Sequence, residues 1–476
     1  MKARLPLLLL PLFVIGIALL FLAAQRWPLL FSNVNYLGGL IALEVVLACL
    51  WRFEKIFFPM TIGCFLLAGT GLPLSGASTT VRWVFLAAGG LVGMFLWLRS
   101  NRARYFGLFH LVALFCVFSA VASASVSEVP ATAMLKVLSL FLLFLYASTG
   151  ARVALADRQE SFLRGLVLAC EILLYFISAC YLALGYDLFG NLNAMGAVIG
   201  VAITPLMLWA AVVAQTPRER QRRIIALVLC GVLLYASVCR AAILADTVLV
   251  AAFAFALRRP RLLLKAAFVG ALFLEVMAVA NPAHMVELTD SLTGKFIYKT
   301  QQGNQGVFGS RQTPWEEAIS AVKQHPWFGS GFGTTSGVGS VRPYALGSSI
   351  SDQGSNREHG SSYLALAEYM GLLGITPFLL LLLLLTRAVA RVHLRMRSQG
   401  PYHYAVPLAM IVLAGIVHAG FEDWLFAVGS YLSVFFWVSA FLLMDLAPAA
   451  NTAPQFTATR DFAPYAQPLA LRQPMR

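Results

Sequence analysis

The sequence predicts an all-α polytopic membrane protein, and three observations carry that prediction. Hydrophobic residues make up 59% of the 476 residues and charged residues only 12%, about half the charged share of a soluble domain. Apolar runs long enough for a helix to cross a bilayer core about 30 Å thick recur from Leu5 to Leu446. The formal net charge of +14 is concentrated between those runs, which makes it a topology signal and sets nucleic acid aside as a partner. Soluble enzymes, disulfide-rich secreted folds and outer-membrane barrels are excluded, because barrel strands would read as short alternating segments.

The apolar runs lie near 5–24, 34–51, 56–76, 81–98, 106–124, 131–148, 165–185, 194–214, 224–238, 241–257, 266–280, 361–385, 405–421 and 425–446, which allows up to 14 spans by hydropathy. Several runs are short or abut one another, notably the pair around Arg240, so two of them can be re-entrant or fall short of a full crossing, and 12 crossings fit as well. Met1-Lys-Ala-Arg4 and Leu22-Ala-Ala24 resemble parts of a signal peptide. With so many spans following, the first run is expected to stay as an uncleaved helix with its N-terminus inside. Arginines cluster in every second connection: Arg99/Arg102/Arg104, Arg152/Arg158/Arg164, Arg218/Arg220/Arg222/Arg223, Arg258/Arg259/Arg261 with Lys265, and Arg387/Arg391/Arg395/Arg397. The positive-inside rule assigns these to the cytoplasm, so the nearly uncharged connections 123–130 and 186–191 face outward. All seven cysteines lie within apolar runs without metal-ligand spacing and read as small buried hydrophobes.

One connection breaks the rhythm. Residues 281–360 carry six acidic and six basic side chains and fall on the outward side, too long a segment for a passive turn. The membrane domain is therefore expected over 1–446, interrupted by this loop, with 447–476 a Pro- and Ala-rich disordered cytoplasmic tail. Within the loop, Thr313-Pro-Trp-Glu316 reads as a capping box with Pro at the first helical position. Trp315, Ala318, Ile319 and Val322 then follow at helical spacing, until His325-Pro326 ends the helix.

Charged side chains at membrane depth are costly, so Glu44, Glu171, Arg240, Asp246, Glu275 and Glu368 are functional candidates, with packing against neighbouring helices the competing explanation. Arg240, at an outer helix end, suits a cavity, or else snorkels as a structural residue. Arg311 just before the capped helix suits a phosphate or diphosphate, because helix N-H groups and a guanidinium fork both favour such an anion. His359 precedes the helix that holds Glu368. A helix N-terminus and Arg357 should keep its imidazole neutral, which fits a general base; a hydrogen-bonded structural histidine is the alternative. His284 and His325 are weaker candidates. The loop has no Asp-x-Asp pair or His/Asp cluster, so no metal is expected, and arginines would have to neutralise a departing diphosphate.

Ser237-Val-Cys-Arg240, Arg311 followed by Trp315-Glu-Glu-Ala, His325-Pro-Trp-Phe-Gly-Ser-Gly-Phe-Gly333 and His359-Gly-Ser-Ser-Tyr-Leu-Ala-Leu-Ala-Glu368-Tyr-Met-Gly371 together resemble the O-antigen ligase and O-antigen polymerase superfamily of bacterial envelopes. The motifs span about 190–380; the N-terminal third matches only as hydrophobic helices. The family pattern has Ser-x-Ser-Arg and His-Asn where this chain has Cys239 and Gly360.

The resemblance implies about 12 spans, a GT-C-like glycosyltransferase fold and a location in the Gram-negative inner membrane with the site facing the periplasm. It implies an undecaprenyl-diphosphate-linked glycan as donor, a sugar hydroxyl of the lipid A core as acceptor, and no cofactor. His359 would be the base, and Arg240 and Arg311 would hold the diphosphate, with Trp315, Glu368 and Asn193 in support. The same resemblance admits an O-antigen polymerase on the same carrier or, less readily, a protein O-oligosaccharyltransferase. From another class, a secondary transporter would need Glu44, Glu171, Asp246 and Glu275 to converge on one pathway.

Overall fold

The computed structural model describes residues 44–72, 75–99, 106–155, 158–261, 309–335 and 359–447. The runs at 5–24 and 266–280, most of the 281–360 loop, the tail, Glu275, His284 and Arg357 lie outside them. The described residues form helices and turns without a strand. Among the described residues, six helices are long and apolar enough to cross a membrane: Ser75–Arg99, Leu108–Ser125, Pro130–Leu155, Gln159–Ala183, Leu192–Val213 and Thr376–Gln399. Phe58–Ala68, Pro217–Ser237, Arg240–Ala256, Ala405–Ala419 and Tyr431–Leu446 pack with them in the bundle. Large apolar side chains such as Phe95, Leu98, Phe115, Phe118, Leu135 and Ile172 are exposed on its outside, an arrangement suited to lipid rather than water.

The Tyr431–Leu446 helix is the hub. All but two of its 16 residues are buried, as expected of a helix that is apolar all round. Close approach elsewhere uses small residues: Gly93 of the Ser75–Arg99 helix lies so near Gly150 that an added Cβ would be 2.4 Å from the Gly150 Cα.

Contacts between turns define two ends. Gly71 N donates to Leu188 O at 2.9 Å, Arg82 Nη1 to Gly429 O at 2.7 Å, and Ser127 and Thr334 share a hydroxyl hydrogen bond of 2.9 Å. The turns at 69–72, 126–129, 186–191, 329–335 and 420–430 therefore gather at one end. Arg99, Arg158, Arg218 and Arg397 lie at the opposite helix ends, in agreement with the alternation read from the sequence. Two sealed ion pairs, Arg152 with Asp445 and Arg223 with Glu171, lie away from the gathered turns.

The run at 361–385 is not one helix. It divides into Ser362–Gly374 and Thr376–Gln399, with Gly371 at φ 63° and ψ −174° breaking the first. The break is filled by the strap at 326–331. Ser330 N donates to Glu368 O (2.9 Å) and Gly331 N to Tyr369 O (3.3 Å), while Leu372 N donates to Pro326 O (2.7 Å) and Leu373 N to Trp327 O (3.1 Å). These four bonds satisfy main-chain groups that the kink would otherwise orphan. A Cβ at Gly371 would lie 2.5 Å from the Trp327 carbonyl carbon and 2.6 Å from the Gly329 nitrogen. Gly371→Ala is therefore expected to cost roughly 2–5 kcal/mol through left-handed strain and overpacking. Thermal unfolding of the purified protein in detergent tests this, and a loss under about 1 kcal/mol would refute it.

Candidate functional site

The site is assembled from four chain segments at the end where the turns gather. The first is the Gly309–Gln324 helix, which starts earlier than the sequence suggests, with Pro314 inside it and Arg311 in its first turn. The expected capping box at Thr313 does not form. Tertiary ties outweigh the local proline signal, since Arg311 Nη1 donates to Gly360 O (2.8 Å) and Nη2 meets Glu422 Oε1 at 2.6 Å. Those ties hold this turn helical although Pro314 cannot donate to the carbonyl four residues back. The inward face is Arg311, Trp315, Ala318, Ala321 and Val322, whereas Ile319, expected inward, points out. Trp315 Nε1 also donates to Gly360 O, at 3.4 Å. The helix stops before His325-Pro326 as expected, and His325 is exposed.

The second and third segments are the turn after the Ala405–Ala419 helix and the start of the Ser362–Gly374 helix, knitted together by Ser362. Its hydroxyl donates to Glu422 O (2.6 Å) and accepts from Trp424 N and Leu425 N (3.0 Å each). The turn so fixed presents Asp423, whose Oδ2 is 2.7 Å from His359 Nδ1, while His359 Nε2 lies 3.2 Å from Glu368 Oε2. His359 and Glu368 are fully buried, and Asp423 keeps 22% of its side chain exposed.

This corrects the expectation of a neutral imidazole. Burial alone would disfavour the imidazolium, but hydrogen bonds to Asp423 and Glu368 and the charges of both outweigh it and raise His359 to about 9. The local sequence offers only the helix terminus and Arg357, whereas the fold brings two carboxylates to the ring. A stability consequence follows. The charged His359 contributes in full below the ordinary imidazole value of 6.5, and that contribution disappears as pH rises through about 9. Denaturation at stepped pH should show a loss on the order of 3 kcal/mol across this window in the native chain, and much less in His359→Gln. Parallel curves for the two would refute it.

The fourth segment is the turn before the Arg240–Ala256 helix. The two abutting runs separate at Val238, a β-branched residue at φ 52°, and Cys239, a strained conformation of the kind that gathers at functional sites. Arg240 opens the helix, partly exposed, near enough to Arg311 for the two charges to oppose each other. Behind it, Cys239 Sγ lies 3.9 Å from His418 Nε2, and His418 Nδ1 accepts from Trp424 Nε1 at 2.8 Å. Gly196 backs directly onto this turn, so an added Cβ would be 2.5 Å from the Cys239 Cβ and 2.6 Å from the Ser237 Oγ. The helix carrying Gly196 thus sets the height of Arg240.

A cavity of about 260 Å3 opens beside these residues, lined among others by Asn191, Asn193, His418, Glu422, Asp423 and Tyr431. Asn193 lines this cavity, and Glu368 meets His359. Of the transporter residues, Glu171 pairs with Arg222 and Arg223, Asp246 is buried beside Thr204, and Glu275 lies outside the described residues.

Sequence reasoning missed Glu422, Asp423 and Lys136. Lys136 Nζ donates to Gly333 O and senses the charge of Asp423. A signal existed for the acidic pair: the outward turns read as nearly uncharged, yet Glu422-Asp423 places two adjacent carboxylates in one of them.

Residues 225–379 match the family model described as O-antigen ligase. The match contains Arg240, Arg311, Trp315, His359 and Glu368 and ends before Glu422 and Asp423. No individual curated protein matches the chain.

Proposed function

The chain belongs to the O-antigen ligase and polymerase superfamily, and on that premise we propose that it is an O-antigen ligase. In this reading it moves a glycan from undecaprenyl diphosphate to a sugar hydroxyl of the lipid A core. The observation that supports it is the joining of two opposite chemistries by one dipeptide. Glu422 contacts Arg311, a diphosphate ligand in this reading, and Asp423 contacts His359.

Asp423 is the member of the Asp423–His359–Glu368 chain that reaches the cavity. With the imidazolium flanked by two carboxylates, the chain carries one net negative charge and takes up one proton. The acceptor O–H gives its proton to Asp423, the oxygen attacks the anomeric carbon, and the bond from that carbon to the diphosphate oxygen breaks on the opposite face with inversion. The electron pair leaves on the diphosphate, whose charge Arg240 and Arg311 stabilise. His359 orients Asp423 and holds its charge, and Glu368 balances the ring. Trp315 fixes Gly360 beside Arg311. We place this end of the bundle in the periplasm of a Gram-negative inner membrane, opposite the arginine clusters. Transfer is expected to persist in EDTA, and a strict Mg2+ requirement would count against an arginine-only account.

The deciding experiment supplies the purified protein with a lipid-diphosphate-linked glycan and two acceptors, lipid A core and a second lipid-linked unit. Product on lipid A core supports the ligase; product only on the second lipid-linked unit replaces it with the polymerase of the same family. No product with either acceptor removes the reading.

A further inference from the structure

Arg311 is a two-pronged group with unequal prongs. Nη1 donates to the main-chain carbonyl of Gly360 at 2.8 Å, inside the fold. Nη2 faces a carboxylate, Glu422 Oε1, at 2.6 Å, and Glu422 lines the cavity. An anionic oxygen on a guanidinium nitrogen is the contact a diphosphate oxygen would make there. Two other buried arginine–carboxylate pairs among the described residues are sealed: Arg152 and Asp445 keep 4% and 11% of their side chains exposed, and Arg223 and Glu171 keep 7% and 3%. Arg311 and Glu422 keep 19% and 21%, so this pair is open to exchange.

We propose that Glu422 is an internal stand-in for the donor's diphosphate, occupying Arg311 in the empty protein and yielding it when the diphosphate enters. This rests on the reading of Arg311 as a diphosphate ligand. It assigns Glu422 a positioning role with two effects. The carboxylate holds the guanidinium fork in its working orientation before substrate arrives, and it raises the threshold for weak anions. Glu422 and Asp423 are consecutive in the turn whose main chain Ser362 holds at Glu422 O, Trp424 N and Leu425 N, so the exchange takes place next to the residue that meets the acceptor.

The test uses the full-length protein in detergent with inorganic pyrophosphate as probe, in the native chain, Glu422→Gln, Glu422→Asp and Arg311→Ala. Calorimetry should give about 3- to 10-fold tighter pyrophosphate binding in Glu422→Gln, the scale of a partly exposed ion pair removed as competitor. Glu422→Asp keeps the charge but shortens the reach, so it should tighten binding by a smaller factor, which protects the test against a Gln variant that fails to fold. Donor KM should fall in both variants, whereas a merely structural role would raise KM or lower kcat alone. Unchanged or weaker binding in both Glu422 variants, with Arg311→Ala abolishing it, overturns the stand-in and leaves the diphosphate site intact. Equal binding by Arg311→Ala and the native chain, or none by any, overturns the diphosphate site and the stand-in together.

Discussion

Asp423→Asn is expected to lower kcat for glycan transfer by roughly 10²- to 10⁴-fold, the range lost with a positioned proton acceptor, while donor binding stays within a factor of a few. Asn keeps the size of Asp and still offers an oxygen to His359 Nδ1, 2.7 Å away in the native chain, so the turn anchored by Ser362 should hold. What goes is the negative charge at the cavity wall and the capacity to take a proton. His359→Ala should also abolish transfer while the protein still inserts in the membrane, but for a different reason. It leaves Glu368 and Asp423 facing each other across a buried gap without the cation between them, a change that costs about 3–5 kcal/mol when a buried pair is broken. Comparing the two variants separates chemistry from architecture: Asp423→Asn should lose activity with only part of the stability loss, because Glu368 still faces the ring, whereas His359→Ala should lose both in full. Single-turnover transfer within about tenfold of native in Asp423→Asn would remove the proposed proton path.

The second large effect concerns Arg311. Arg311→Ala should reduce kcat by about 10²- to 10³-fold, as when one donor to a developing anion is removed, and Arg311→Lys should recover only part of it. A lysine has one charged nitrogen, which cannot serve both the Gly360 carbonyl and a diphosphate oxygen in the geometry of the guanidinium fork. Arg240→Ala is expected to act in the same direction. Its guanidinium opens a helix and is partly exposed, where a lysine can also present its charge, so Arg240→Lys should be better tolerated than Arg311→Lys. Steady-state rates at saturating acceptor decide the order, and full activity in Arg311→Lys would show that the fork is not used.

Much of this was readable in the chain because membrane helices are written in composition. Runs such as 131–148 and 194–214 became helices since only helices satisfy main-chain groups in lipid, and the alternation of arginine clusters separated the two ends. Arg240, Arg311 and His359 stood out as charge or imidazole at outer helix boundaries. Other features depended on partners distant in sequence. The state of His359 is set by Asp423, 64 residues away, and the start of the Arg311 helix by ties to Gly360 and Glu422. The break at Gly371 makes sense only beside the strap that runs through Gly329. Local rules, capping preference above all, were correct in kind and were overruled by long-range contacts.

The strap is bonded to the kinked helix chiefly through main-chain atoms, with Ser330 Oγ adding a contact to Glu368 O at 3.4 Å, and its Trp327 and Phe328 side chains stay 60% and 45% exposed. Shape and side-chain identity are thus separable there. A saturation library over this segment should accept many residue types at 327 and 328 while rejecting nearly all at 329, where glycine has φ 73° and a Cβ would strike the Tyr369 carbonyl at 2.4 Å. The surface next to Glu368 can therefore diversify by point mutation without any retooling of the groups that carry out transfer.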